Sequence, residues 1–238
     1  KSAGLGYYCL MSAGNHNDSG RTPSPVCSYL RNLVGWCDKK VLLNKCGSYQ
    51  AEHADYGTLM IYETGRLNEY FLVENRSQSD LDASIPASGI AIYHCDTLGS
   101  NEWQGGSASK HYQCGLLQAD GSLDLENNRS MGDARDLYGS VNGIAISHST
   151  LPASLLWDGS DSGLQISKIS SPGKIMTFVV GQADSELTVS GTSANAAKIP
   201  DSSVSGLKDI IKIDQDGKVT KLTATIDISH SNIGNLRV

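Results

Sequence analysis

Glu69-Tyr-Phe-Leu-Val-Glu-Asn-Arg76 is a short apolar run closed by polar residues, and its reading decides the fold. It is too short for a typical globular helix and carries the aromatic and β-branched residues that suit a pleated surface, so it predicts a strand. Gly57-Thr-Leu-Met-Ile-Tyr62, Gly89-Ile-Ala-Ile-Tyr-His94 and Lys174 to Val180 read the same way, each bounded by Gly, Pro, Asn or Asp. Only Val26 to Val34 predicts a helix. Pro23 and Pro25 precede it, Tyr29, Leu30, Leu33 and Val34 supply its apolar face, and Gly35 stops it. The expected class is α+β with β dominant. Strand alternation puts Glu74 and Arg76 on one face, which predicts a salt bridge stabilising a turn at Asn75-Arg76 rather than a catalytic pair of Glu69 and Glu74 with an arginine clamp.

The chain has 238 residues, enough for one large domain or a domain plus part of another. Its net charge is −6 and no run of Lys or Arg stands out, which argues against nucleic acid and anionic membrane as partners. The longest apolar runs, such as Ile175 to Val180, are strand-sized and far short of a membrane span. Lys1-Ser2-Ala3-Gly4 opens no signal peptide. The six cysteines are Cys9, Cys27, Cys37, Cys46, Cys95 and Cys114, with no Cys-x-x-Cys among them. An even count in a chain rich in Gly, Ser and Asn suits disulfides and a secreted protein. Sequence alone does not choose among the 15 pairings of six cysteines; proximity favours Cys37–Cys46 and Cys95–Cys114, with Cys9 and Cys27 as the remaining candidates, and the alternative is that some are buried free thiols.

Residues Gly181 to Ala197 hold almost no large apolar side chain and read as a linker. Beyond it, Leu207 to Ile213 and Lys218 to Ile228 flank Asp214-Gln215-Asp216-Gly217, the pattern of a β-hairpin. Two strands do not make an independent domain, so this second unit looks incomplete.

Several segments, in order, resemble the M6 (immune-inhibitor-A-like) metallopeptidases. They are Gly6-Tyr-Tyr-Cys-Leu-Met-Ser-Ala-Gly14, Leu33-Val-Gly-Trp36, Glu69 to Arg76, Asp82 to Asp96, Gln118-Ala-Asp-Gly121 and Gly132-Asp-Ala-Arg-Asp-Leu-Tyr-Gly139. The match covers roughly Leu5 to Val180. It implies the β-rich C-terminal part of a zincin-like catalytic domain over residues 1–180. Zinc peptidases need His-Glu-x-x-His, which places both imidazoles on one helical face beside the Glu that serves as base. The six histidines, His16, His53, His94, His111, His148 and His230, include no two four residues apart. The resemblance therefore implies that the Zn²⁺ ligands and the general base lie upstream of Lys1. Met11 matches the methionine that related enzymes place under the metal, with Asn15 and His16 just beyond it. The tail, from Ile199-Pro-Asp201 through Gly234-Asn-Leu236, resembles the opening of a P (homo B) domain, where the usual motif is Gly-Asp-Leu. That implies a linker over residues 181–198 and an incomplete β-sandwich, jelly-roll-like module over 199–238.

The implied activity is that of a secreted zinc-dependent endopeptidase acting on proteins and peptides, with the chain alone inactive. The alternative is a non-catalytic secreted peptidase-like protein for binding or adhesion. A serine peptidase has no support from a nucleophile motif, although Ser147-His148 stands in the chain. Asp120, Asp124, Glu126, Asp133 and Asp136 fall in one Gly-rich loop system and offer hard oxygens suited to Ca²⁺, though not at EF-hand spacing. A second cluster, His94-Cys95-Asp96 with Asn101 and His111, offers zinc-type ligands or an ordinary strand end.

Overall fold

The computed structural model describes residues 4–102, 105–139, 145–181, 189–193, 197–200, 205–213, 222–229 and 231. The chain divides into two compact units, Lys1–Ser185 and Glu186–Val238. The first is mostly β, built on two sheets with a single short α-helix among the described residues.

The strands are β1 (Lys39–Leu42), β2 (Gly47–Glu52), β3 (Thr58–Glu63), β4 (Glu69–Arg76), β5 (Gly89–Asp96), β6 (Cys114–Leu116), β7 (Ile166–Ser167) and β8 (Ile175–Val180); the helix α1 is Ser28–Leu33. The larger sheet has the order β1-β3-β4-β5-β6, with β1 parallel to β3 and every other pair antiparallel. The smaller sheet runs β2-β8-β7, all antiparallel. The central strands β4 and β5 are buried almost throughout, which is why their sequences read as near-continuous apolar runs.

Period-two alternation assigns each β4 side chain to one of two cores. Leu72 packs with Tyr93, Cys95, Leu116 and Tyr29 of α1, on the face covered by the N-terminal segment. Phe71 and Val73 point the other way, where Ile90, Ile92, Met176, Phe178 and Val180 fill the space between the two sheets. Asn75 clamps the smaller sheet to the larger: its amide donates to the carbonyls of Ala51, Gly173 and Lys174 at 2.9–3.1 Å.

The four expected strands and the helix all form in place. Four strands went unread because their sequences carry little apolar signal. β1 is an edge strand exposed at three of its four positions, and β2 is mostly polar and outward-facing. β6 and β7 are only three and two residues long.

No two of the six cysteines are bonded to each other in this structure, so neither expected bridge, Cys37–Cys46 or Cys95–Cys114, is formed here. The expected Cys37–Cys46 bridge is not available to this fold. The chain leaves Cys37 along β1 and is still extended at Leu43, whose amide donates to Ile61 O at 2.8 Å. Six residues of strand span about 20 Å, so Cys37 and Cys46 lie beyond opposite ends of β1, while a disulfide needs Cα atoms within about 7 Å. Cys95 and Cys114, by contrast, are direct cross-strand partners with Sγ atoms 3.7 Å apart.

In the second unit the expected hairpin strands are 207–213 and 218–228; residues 207–213 and 222–228 carry no strand, and 218–221 lie outside the described residues. Their large apolar side chains, Ile210, Ile211, Leu222 and Ile226 among them, are exposed, so no core repays the cost of ordering a ladder. The expected turn at 214–217 and the closing stretch 232–238 lie outside the described residues.

Candidate functional site

Residues 6–24 fold into a tightly tied loop. Tyr7 donates its amide to Met131 O at 2.6 Å, while Ser12 and Gly14 both donate to Cys9 O at 3.0 Å. Ala13 donates to Gly6 O, Ser24 to Gly14 O, and the buried Asn17 amide bonds Tyr7 O and Ser24 Oγ. Gly6 is required at the entry to this loop: its φ is +51°, and a Cβ there would overlap the Met131 carbonyl. The loop places Met11 outward at 72% exposure, with Asn15 and His16 exposed beside it in sequence.

Behind the loop lies a buried network of charge. Arg76 donates to Tyr8 O at 2.8 Å, to Glu74 Oε1 at 3.0 Å, and through Nε and Nη2 to both oxygens of Asp82. Glu74 also accepts from Tyr93 Oη at 2.6 Å and from Arg31 of α1 at 2.6 Å. Burial works against the charge of Glu74, but Arg31 and Arg76 outweigh it and hold its carboxyl below the ordinary value. Arg76, penalised by burial, is nonetheless held well above its ordinary value by Tyr93, Asp82 and Glu74. The expected Glu74–Arg76 salt bridge therefore exists, inside the core and within a strand. Its effect is to fasten three separate segments, the loop at Tyr8, helix α1 and the turn at Asp82, to the end of β4.

On the other side of this network His53 is buried and accepts a hydrogen bond from Ser77 N at Nδ1, 3.1 Å, so the neutral ring carries its proton on Nε2. Nε2 lies 3.7 Å from Asp80 Oδ2 in a cavity of about 500 Å³.

The acidic loop does not converge on one point. Asp120 accepts from Ser122 N and Oγ and pairs with Arg135 at 3.3 Å; Asp133 accepts from Arg135 N. Asp124 faces Arg129 at 3.8 Å, and Glu126 bonds Gln118 at 2.6 Å. Asp136 is buried and accepts from Asp133 N at 2.6 Å. Burial, followed by the charges of Asp133, Asp120 and Asp124, pushes its carboxyl up to about 7. Among the described residues no group of three or more His, Cys, Asp or Glu is arranged to hold a metal.

The second expected metal cluster is split by the pleat of β5. Cys95 faces the α1 side, whereas His94 faces the other core, stacked between Phe71 (4.6 Å) and Trp157 (4.7 Å), with Nε2 on Glu69 Oε1 at 2.8 Å. His111 stacks on Trp157 at 5.4 Å and meets Asp96 at 3.0 Å. Asn101 is spent on the backbone N–H and C=O of Cys114. His148 points to Asp161 at 3.6 Å, while Ser147 Oγ bonds Ser149, so this pair assembles no triad.

No protein-family model, curated protein or solved structure matches the chain. The sequence pattern singles out Met11 but gives no sign of Arg31 and His53, whose partners lie 43 and 24 residues away, or of Asp82, which pairs with Arg76 six residues before it. No helix among the described residues is long and apolar enough to cross a membrane.

Proposed function

We propose that this chain is the β-rich C-terminal part of the catalytic domain of a secreted, zinc-dependent endopeptidase of the M6, immune-inhibitor-A-like type, followed by the start of a P (homo B) β module. One observation carries the reading: a loop pinned by hydrogen bonds on several sides nevertheless holds Met11 at 72% exposure. Burying a methionine is worth roughly 1.5–3 kcal/mol, so a rigid loop that presents one to water suits contact with another segment. In this reading that segment is the His-Glu-x-x-His helix upstream of Lys1, and Met11 is the apolar, polarisable floor beneath its metal. No zinc ligand is assigned to a residue of this chain. Zinc bound there would supply the Lewis acid that polarises the scissile carbonyl. The chain's own residues position: Arg76 grips the Tyr8 carbonyl, Gly6 admits the Met131 contact, and both orient the loop that carries Met11.

Calcium binding by Asp120, Asp124, Glu126, Asp133 and Asp136 is a separate proposal, supported by their hard oxygens in one Gly-rich loop system. It requires Arg135 to release Asp120 and Asp133.

The test is the coding region upstream of Lys1 together with the protein it extends. The expected result is a His-Glu-x-x-His helix and casein cleavage that is lost with a chelator and with a Glu→Gln change in that motif. The present chain supplied with Zn²⁺ should cleave nothing above blank. An uninterrupted frame without the motif sinks the peptidase reading and leaves a secreted binding protein; chelator-sensitive cleavage by this chain alone sinks the assignment of the ligands to the upstream segment.

A further inference from the structure

Four of the six thiols meet in one place. Cys9, Cys27, Cys95 and Cys114 belong to the same buried cluster beneath α1, each at 0–2% exposure. They come from four segments: the Met11 loop, the residue preceding α1, and strands β5 and β6.

Cys27 touches both Cys9 and Cys114, and the backbone contacts favour two pairs out of the four. Cys95 and Cys114 stand directly opposite each other in the antiparallel ladder. Ladder bonds from Asp96 N to Gln113 O and from Leu117 N to Ile92 O flank them, and the backbone N–H and C=O of Cys114 are both taken by the Asn101 side chain. They are therefore a non-hydrogen-bonded pair, whose Cα atoms approach to about 4.5 Å, inside the range a disulfide spans. Their sulfurs are already 3.7 Å apart. Cys27 donates its backbone N–H to Cys9 Sγ at 3.5 Å, and Leu10 N donates to Pro25 O at 3.3 Å, so those two stretches also run side by side.

We propose that Cys9–Cys27 and Cys95–Cys114 close as two disulfides while Cys37 and Cys46 remain thiols. The inference does not depend on the peptidase reading; it needs only an oxidising compartment with a disulfide donor. In each closure one protein thiolate attacks a donor sulfur and releases one donor thiol. The partner thiolate then displaces the second donor thiol, so two protein thiols become one bridge and the donor disulfide becomes two thiols. Closure occurs as the chain folds. Once the core has formed, no donor reaches the sulfurs and the thiolates are suppressed: contact with Cys27 and burial push the Cys9 thiol up, and burial does the same at Cys95 and Cys114. The Cys9 bridge anchors the start of the loop that presents Met11, and the Cys95 bridge ties β6 to the centre of the sheet.

The sequence makes the pairing readable, because trypsin puts each cysteine on its own peptide: 2–21, 22–31, 32–39, 46–66, 77–110 and 111–129. The full chain is refolded from denaturant in a mixture of oxidised and reduced glutathione, its free thiols are alkylated in denaturant, and the unreduced digest is read by mass spectrometry. Peptides 2–21 and 22–31 should appear linked, as should 77–110 and 111–129, with Cys37 and Cys46 alkylated. A link between 22–31 and 111–129, any link to 32–39 or 46–66, or six alkylated cysteines in folded protein overturns the proposal. So does zinc retained by the reduced protein at one ion per chain, which would make the cluster a four-thiolate metal site. Comparing folded chain refolded with and without oxidised glutathione provides a second readout that needs no substitution. The oxidised form should melt higher and resist cleavage after Arg21; equal melting and equal cleavage refute the anchoring role.

Discussion

Asp136→Asn should stabilise this protein at pH 8 and not at pH 4. The buried Asp136 carboxyl is raised from 3.8 to about 7, first by burial and then by Asp133, Asp120 and Asp124. The folded state therefore binds this proton more tightly than the unfolded state. The associated stability is fully present below about pH 3.8 and is lost as pH rises through 7. A difference of roughly three pKa units corresponds to about 4 kcal/mol. Asn mimics the protonated acid, since its Oδ1 still accepts from Asp133 N where Asp136 accepts at 2.6 Å, and it has no charge to desolvate. Urea denaturation of both proteins between pH 4 and 8 isolates the effect, because titrating groups not coupled to Asp136 cancel in the difference, leaving Asp136 and the Asp133, Asp120 and Asp124 charges that face it. The variant's advantage should grow by about 4 kcal/mol across that range, most steeply between about pH 4 and 7. A difference that stays flat with pH refutes the reasoning. If the loop binds calcium, adding Ca²⁺ at pH 8 should raise the melting temperature of the wild type and close the gap to the variant, which has lost a ligand.

Arg76→Met removes the hub of the buried network and leaves Asp82 without its partner, so chemical denaturation should show a loss of about 3–5 kcal/mol; a loss under 1 kcal/mol would mean the network relaxes or hydrates. Gly6→Ala forces a Cβ against Met131 O at φ +51°, and should cost at least about 1–3 kcal/mol while speeding proteolysis at Arg21. Phe178→Ala empties the space between the sheets and should cost about 3–5 kcal/mol, whereas Leu67→Ala, fully exposed, should stay within about 0.5 kcal/mol. Comparable melting temperatures for these last two would place the core elsewhere.

The central sheet was legible because β4 and β5 are buried on both faces: a strand with two apolar faces writes itself as a continuous run. β1 and β2 were not legible, for the converse reason. Lys39-Lys40-Val41-Leu42 lies at a sheet edge with only Val41 half-buried against the core, and Gly47 to Glu52 is held by pairing with β8 rather than by its own pattern. The second unit failed in the opposite sense. Alternation around Asp214 to Gly217 satisfies a hairpin pattern, yet pattern alone supplies no surface against which Ile210, Leu222 and Ile226 are buried. A period-two pattern is a statement about two faces, and it becomes a strand only where something covers one of them.

The site was legible only where its chemistry is local. Gly6, Tyr7, Met11 and Gly14 sit within one loop, and sequence order alone marks them as a unit. The charge network behind them joins Tyr8, Arg31, Glu74, Arg76, Asp82 and Tyr93, and its only sequence trace was the two-residue spacing of Glu74 and Arg76. That spacing predicted the pair correctly but gave no indication that it is buried, and burial changes its role. An exposed Glu–Arg pair contributes little, whereas a desolvated one must be complete or be costly. Here completion draws in the Tyr8 carbonyl, so the network cannot be satisfied unless the Met11 loop is seated. The loop's rigidity is thus a consequence of charges more than sixty residues away, and a substitution at Asp82, far from Met11 in sequence, should loosen the loop as surely as one at Gly6.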